Sequence, residues 1–171
     1  MGGEATAREL KIYLVAYAPT SPQRLVDLAK LAYSINIVKG FIVIKPTGIA
    51  AQAGVPEAFR IAYKLGKNFL VLTHIGELKE LLGIDRAIFI VQNSKDAEDI
   101  DSLMDKAGDS VAIVVQAGET PFAKEDLSQG YIAKIHELDN RLSPNAVAEA
   151  TAALLKIYLR LQKYGGLERP V

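Results

Sequence analysis

The stretch that decides the fold is residues 111–155, VAIVVQAGETPFAKEDLSQGYIAKIHELDNRLSPNAVAEATAALL. It opens with a continuous apolar run from Val111 to Val115, whose β-branched residues are typical of a strand buried on both faces of a parallel sheet. Pro121 lies in the glycine-acid loop after this run, and it has no backbone N–H to continue a ladder. A second strand is predicted from Tyr131 to Ile135. In parallel sheets, ligands bind at the carboxyl ends of such strands.

A long helix is predicted to close this stretch. Ser143 has a residue type that caps helices, and Pro144 suits the first helical position, so we expect the helix to run through Ala146 to Leu161. Its apolar residues form two stripes, Ala148, Ala152, Leu155 and Leu159 in one and Val147, Leu154, Ile157 and Leu161 in the other. A helix that is apolar around so much of its circumference either has a second partner or is buried within one core.

The rest of the chain repeats the alternation of strand and helix. Four further strands are predicted at Lys11 to Tyr17, Val38 to Lys45, Asn68 to Leu72 and Ala87 to Gln92, and the helices between them at Pro22 to Ser34, Glu57 to Leu65, Glu77 to Leu82 and Asp96 to Ala107. Six apolar strands interleaved with helices predict an α/β fold, with a mainly parallel six-stranded sheet and helices on both faces. The acids of the last of these helices are predicted to form a solvated face.

Composition limits the possible classes of protein. The chain has 171 residues, of which 50% are hydrophobic, which is enough for a substantial core in one domain. It has no cysteine, so disulfides and thiolate metal sites are excluded. Lys plus Arg equals Asp plus Glu at 20 each, so any nucleic acid must bind through a local patch. No apolar run has the length of a membrane span, and we expect a cytoplasmic protein.

The loop from Pro46 to Gly54 is a second candidate site. Its small residues have free backbone N–H groups, which suit the close approach of a phosphate or ribose. The alternative is an ordinary surface connection. It has neither the lysine-serine pair of a Walker loop nor a GxGxxG pattern.

Two motifs in the deciding stretch carry a family resemblance. Gly118-Glu119 with Pro121-Phe122, and the run Leu142-Ser143-Pro144-Asn145-Ala146-Val147-Ala148, resemble the second and third motifs of the SpoU-like branch of the SPOUT RNA methyltransferases. This resemblance implies a single domain over residues 1–171 with a deep C-terminal trefoil knot, its knot and cofactor region at about residues 69–160. It also implies S-adenosylmethionine as cofactor, an RNA substrate and a homodimer. Residues 46–58 resemble a little-described archaeal group of this superfamily, and some of its members are labelled nucleases.

The resemblance also implies the residues of the site. The arginine of the family's first motif aligns with Lys30, so Lys30 and the nearby Arg24 are both candidates to handle the proton, together with Glu119 and Asn145 as catalytic residues. The implied cofactor-binding residues are Leu72, Thr73, His74, Ala117, Gly118, Glu119, Ile135, His136, Leu138, Ser143 and Asn145. A lysine in this role requires a pKa lowered by burial or by a neighbouring cation. No metal site is predicted.

Three functions follow as hypotheses. The first is an S-adenosylmethionine-dependent methyltransferase acting on tRNA or rRNA. The second is a SPOUT-fold protein that binds cofactor or RNA without methyltransferase activity, which Lys30 in place of arginine and the neutral charge favour. The third, a nuclease, needs clustered carboxylates to hold magnesium. Here Asp85 and Glu119 fall on predicted loops, so the sequence offers no strand-borne pair of acids.

Overall fold

A single sheet of seven strands forms the centre of the molecule. The computed structural model describes residues 9–139, 141–142 and 144–164. The strands are β1 (Lys11–Tyr17), β2 (Val38–Ile44), β3 (Asn68–Leu72), β4 (Arg86–Ile90), β5 (Glu98–Asp99), β6 (Ser110–Gln116) and β7 (Tyr131–Lys134). Every neighbouring pair is parallel, in the order β3-β2-β1-β6-β4-β7-β5. The α/β class and the parallel sheet are therefore confirmed.

The described residues include six α-helices, of which five lie between strands and the last follows β7. They are α1 (Pro22–Ser34), α2 (Val55–Leu65), α3 (Glu77–Glu80), α4 (Ile100–Met104), α5 (Lys124–Leu127) and α6 (Ala146–Lys163). The side chain of Ser21 accepts a hydrogen bond from the Arg24 amide at the start of α1, as its residue type predicts. None of the helices within the described residues is long and apolar enough to cross a membrane.

The helices cover both faces of the sheet, as predicted. On one face, apolar residues of α1, α2, α4 and α6 pack over alternate residues of β1 such as Ile12 and Leu14. α1 contacts both α2 and α6, so it lies between them. On the other face, Val15 and Tyr17 pack with Leu78 of the short helix α3.

The predicted number of six strands is wrong by one. β5 lies inside the segment predicted as the acidic helix, and α4 begins only at Ile100. The physical reason is that the Asp99 side chain accepts a hydrogen bond from the Asp101 amide and caps a later helix start, while Glu98 and Asp99 pair with β7. Nor are the acids a merely solvated face, because Lys156 of α6 lies 3.3 Å from Asp99.

The predicted loop from Pro46 to Gly54 is largely helical. Ala50–Gly54 form a π-helical turn that continues directly into α2. A Cβ on Gly54 would lie 3.0 Å from the Cα of Pro22, and Ala50 is fully buried. The small residues therefore allow this turn to pack against α1, which accounts for them without a phosphate or ribose.

Candidate active site

The candidate site is a cavity at the carboxyl ends of β4 and β6. It has a volume of about 340 Å³ and opens between the amino-terminal ends of α1 and α6. Its lining includes Arg24, Gln92, Asn93, Gly118, Glu119, Phe122, Asn145 and Glu149. Ligands of α/β sheets bind in such crevices outside the carboxyl ends of the strands. The cavity therefore unites Arg24, Gly118, Glu119 and Asn145, four of the residues predicted from the sequence.

The loop after β6 is held against the first strand-helix corner. The Gln116 side-chain amide donates to the carbonyl of Gly118 over 2.9 Å. A Cβ at position 118 would lie only 2.3 Å from the carbonyl oxygen of Ala18, which itself has a left-handed backbone with φ 49°. Glycine is thus required at position 118 by the approach of this protein's own backbone.

The loop after β7 is shaped by one buried side chain, Gln92. Its amide donates to the carbonyls of Ile135 and Leu138 over 2.7 and 3.0 Å, and its oxygen accepts from the Ile135 amide over 2.8 Å. A second cavity of about 300 Å³, lined by Ile135, His136 and Leu138, adjoins the first, because Gln92 lines both. Gln92 thus joins the loop after β4 to the loop after β7, and one cavity lies on each side of it.

The amino-terminal end of α6 forms one wall of the cavity. Asn145 is its N-cap, and the Asn145 side chain accepts a hydrogen bond from the Ala148 amide over 3.0 Å. The prediction that Pro144 is the first helical residue is therefore wrong, because the helix begins two residues later, at Ala146, with Asn145 as its N-cap. Ser143, predicted as cap and as cofactor ligand, lies outside the described residues.

Three charged side chains in the cavity are available to a ligand. Among the described residues, the Arg24 guanidinium and the carboxyl groups of Glu119 and Glu149 have no hydrogen-bond or ion-pair partner. Burial raises the pKa of Glu149 to about 7, since the ionised form loses hydration there. A carboxyl group with such a pKa can accept or donate a proton near neutral pH.

Several predicted site residues lie elsewhere. Lys30 is exposed near Glu57 of α2, whose pKa it helps to lower after the larger effect of a hydrogen bond from Arg60. Leu72 ends β3 and Thr73 and His74 follow it, at the edge of the sheet, with β2 and β1 between them and β6. Leu72 is buried, and Thr73 and His74 donate hydrogen bonds to Glu77.

Ala117 is a different case. It follows the correct strand, but it is fully buried, and its amide donates to Tyr17 over 2.9 Å. Ala117 therefore anchors the start of the loop after β6 to β1, and it does not line the cavity.

Gln92, Asn93 and Glu149 line the cavity but were not among the residues predicted from the sequence. Gln92 and Asn93 end the apolar run AIFIV, where a polar side chain meets the carboxyl edge of the sheet. Glu149 is the single acid within the small-residue run of α6, NAVAEATAAL. Both signals are visible in the sequence, because a lone polar residue in an apolar element needs a physical reason.

A second polar cluster lies at the same edge but on the opposite face of the sheet. Buried Asp126 accepts hydrogen bonds from the Tyr17 hydroxyl over 2.5 Å and from Lys45 over 2.8 Å. Burial alone would raise the pKa of Asp126, but these two hydrogen bonds lower it below its ordinary value. The hydrogen bond to Asp126 raises the pKa of Lys45. We name this group the Asp126 cluster.

The fold is shared with solved methyltransferase structures. The tRNA-modifying enzyme TrmH/SpoU from A. aeolicus superposes with a TM-score of 0.71 at 13% identity, covering 95% of this chain and 81% of that one. The SpoU methyltransferase AviRb from Streptomyces viridochromogenes superposes with a TM-score of 0.68 at 17% identity. The match covers 94% of this chain and 63% of AviRb. The fold that the SPOUT resemblance implies is thus confirmed, because this chain shares its α/β architecture with SpoU methyltransferase structures.

Sequence relatives carry a different description. Residues 48–156 match the family described as RecB-family nuclease (DUF2122), and the chain belongs to this family. A candidate type II restriction enzyme from Aeropyrum pernix is 29% identical over 88% of this chain and 94% of its own length. Another, from Methanocaldococcus jannaschii, is 28% identical over 70% of this chain and 80% of its own length. Within the described residues, no three His, Asp or Glu side chains are grouped to hold a metal ion.

Proposed function

We propose that the protein is an S-adenosylmethionine-dependent RNA methyltransferase. The observation that carries this proposal is the cavity at the carboxyl ends of β4 and β6, with three charged groups that have no partner within the described residues, in a fold shared with SpoU methyltransferases. AviRb has been solved in complex with AdoMet and superposes with a TM-score of 0.65. The trefoil knot and the single domain that the resemblance implies are part of the same proposal.

The residues present suit this cofactor. Gln92 holds the loop from Ile135 to Leu138 in a fixed conformation, so the second cavity that this loop lines could receive an adenine without rearrangement of the backbone. The carboxylates of Glu119 and Glu149 suit the ribose hydroxyls or the cationic groups of S-adenosylmethionine. When bound, this cofactor supplies a methyl group on a positively charged sulfur. The transfer loses that charge, so positioning contributes much of the rate.

The acceptor must also lose a proton, and Glu149 is the residue placed for that task. Its raised pKa allows the carboxylate to take a proton near neutral pH, and Arg24 can stabilise the developing negative charge on the acceptor oxygen or nitrogen. Lys30 lies outside the cavity, so we now assign no catalytic role to it.

A homodimer is part of this proposal. In the predicted stripe of α6, Leu155 and Leu159 are 48% and 62% exposed, whereas Leu154 and Ile157 of the other stripe are fully buried. A single core therefore accounts for only one stripe. We propose that a second copy covers the other, next to the cavity wall that α6 forms.

The first test is calorimetric titration with S-adenosylmethionine. We expect saturable binding at one cofactor per protomer, weakened about tenfold by Glu119→Ala, since that change removes a charge-assisted hydrogen bond. Lys30→Ala and His74→Ala are matched controls outside the cavity and should bind like the wild type. Absence of binding at millimolar cofactor would overturn the proposal.

The same preparation should be tested as a nuclease, because the family description favours that activity. Plasmid DNA and a tRNA transcript would be incubated with Mg²⁺ or Mn²⁺. Cleavage that Asp126→Asn or Glu119→Gln abolishes, without cofactor binding, would replace methyl transfer by hydrolysis as the function.

A further inference from the structure

The exposed surface of α2 carries a pair of aromatic rings. Phe59 and Tyr63 stack on each other with ring centroids 6.3 Å apart and planes at 30°. They are 58% and 79% exposed, so the ring pair faces solvent. The pair leaves apolar surface in water beside charged residues, and exposed apolar patches rimmed by polar residues mark interaction sites.

Cations lie beside this ring pair. Arg60 and Lys64 are one helical turn apart on the adjoining stripe of α2, and Lys67 follows the helix; all three are exposed. Lys30 of α1 lies near Glu57, on the far side of Arg60. Glu57 is the acid of this group, and Arg60 pairs with it through two hydrogen bonds. Exposed ion pairs contribute little to stability, so a phosphate can compete with Glu57 for Arg60. We call Phe59, Tyr63, Arg60, Lys64 and Lys67 the α2 patch.

We propose that the α2 patch is a docking surface for single-stranded RNA. Unpaired bases stack on aromatic rings while neighbouring lysines and arginines contact the phosphates, and the patch offers both on one helix. A duplex hides the faces of its bases, so the exposed rings favour single strands. The choice of RNA as nucleic acid rests on the proposed function.

Charge argues against a second copy of the chain as the occupant. A two-fold contact through the α2 patch would bring Arg60, Lys64 and Lys67 of both copies together and add like charges. The remaining stripe of α6, with Leu155 and Leu159, lacks this repulsion and suits self-association better.

The location also fits a substrate that must reach the cavity. α1 lies between α2 and α6, with Lys30 near Glu57, the ion-pair partner of Arg60, and Arg24 in the cavity lining. Lys30 lies six positions after Arg24 on the helix, a rise of about 9 Å. An RNA strand held on the α2 patch can therefore follow the cations of α1 to the site.

The test is fluorescence anisotropy with a labelled single-stranded RNA of about 16 nucleotides. Phe59→Ala with Tyr63→Ala should weaken binding about tenfold or more, whereas Tyr63→Phe, which keeps the ring, should bind like the wild type. Lys64→Ala with Lys67→Ala should reduce the slope of log K against log salt by about 1.4. Tyr164→Ala and Lys79→Ala are exposed controls away from the patch and should change nothing.

Two readouts separate this proposal from the proposed function. The patch variants should bind S-adenosylmethionine like the wild type, because the cavity lies elsewhere. Wild-type affinity for RNA in the double aromatic variant would overturn the patch, even if cofactor binding is found. Absence of RNA binding by the wild type at about 50 mM salt would also overturn it. A change of sedimentation in that variant would assign the patch to self-association instead.

Discussion

Two groups of charged side chains lie at the carboxyl edge of the same sheet, and they differ in whether their members are paired. In the Asp126 cluster, Asp126 accepts from Tyr17 and Lys45, and the Tyr17 ring also packs edge-on against Phe122. In the cavity on the other face, Arg24, Glu119 and Glu149 have no partner within the described residues. The first arrangement stabilises the fold, and the second leaves charges available to a ligand.

The sharpest test of this comparison is removal of the buried carboxylate. Asp126→Ala leaves Lys45 and the Tyr17 hydroxyl without their acceptor, and we expect the free energy of unfolding to fall by about 2 to 3 kcal/mol. Lys45 is 36% exposed, which keeps the loss below that of a fully buried pair. Urea denaturation measures the change. Unchanged stability together with lost cofactor affinity would show that this cluster, too, is a binding site.

For Glu149, the buried acid of the cavity, removal of the charge should raise the free energy of unfolding instead of lowering it. Burial raises the pKa of Glu149 from 4.5 to about 7, so the ionised form is penalised and wild-type stability falls as the pH rises through this range. The Glu149→Gln variant should not show this loss of stability, because glutamine does not ionise. Near pH 8 the variant should be more stable by the order of 2 kcal/mol, after allowance for partial exposure, and near pH 4 equally stable. Thermal unfolding across this range checks it, and parallel curves for both proteins would contradict it.

The smallest expected change in stability is at Asn145, where two substitutions distinguish a role as helix cap from a role in cofactor binding. Asn145→Ala removes the N-cap of α6 and should cost about 1 kcal/mol, whereas Asn145→Ser keeps a capping oxygen and should cost almost nothing. If the Asn145 amide also contacts cofactor, both variants should lose affinity in calorimetry. If only the alanine variant loses affinity, the role of Asn145 is structural.

Most of the elements could be predicted from the sequence, because each is a local pattern. β1, β3 and α1 begin and end at the predicted residues, since their apolar runs and proline or serine boundaries are short-range signals. The early start of α2 and the two-residue β5 could not be predicted, because they depend on packing against α1 and on pairing with β7.

The site was predicted only in part, because strand order is not a local property. The motif residues Gly118, Glu119 and Asn145 do meet in the cavity. The loop after β3 was predicted to line the cofactor site, whereas the loop after β4 lines the cavity, since the apolar runs NFLVL and AIFIV look equally suited to the sheet centre. Only the sheet order places β4 between β6 and β7 and leaves β3 at an edge.

The same strand order determines when the site can exist during synthesis. β1, β2 and β3 are neighbours in the sheet and emerge first from the ribosome, but β1 also pairs with β6, joining Lys11 to Ser110 about a hundred residues later. Until then, one edge of β1 is open to the solvent and to other chains. The cavity is completed last, when β7 and α6 arrive. A nascent chain therefore presents the α2 patch long before it has a site to which RNA could be delivered.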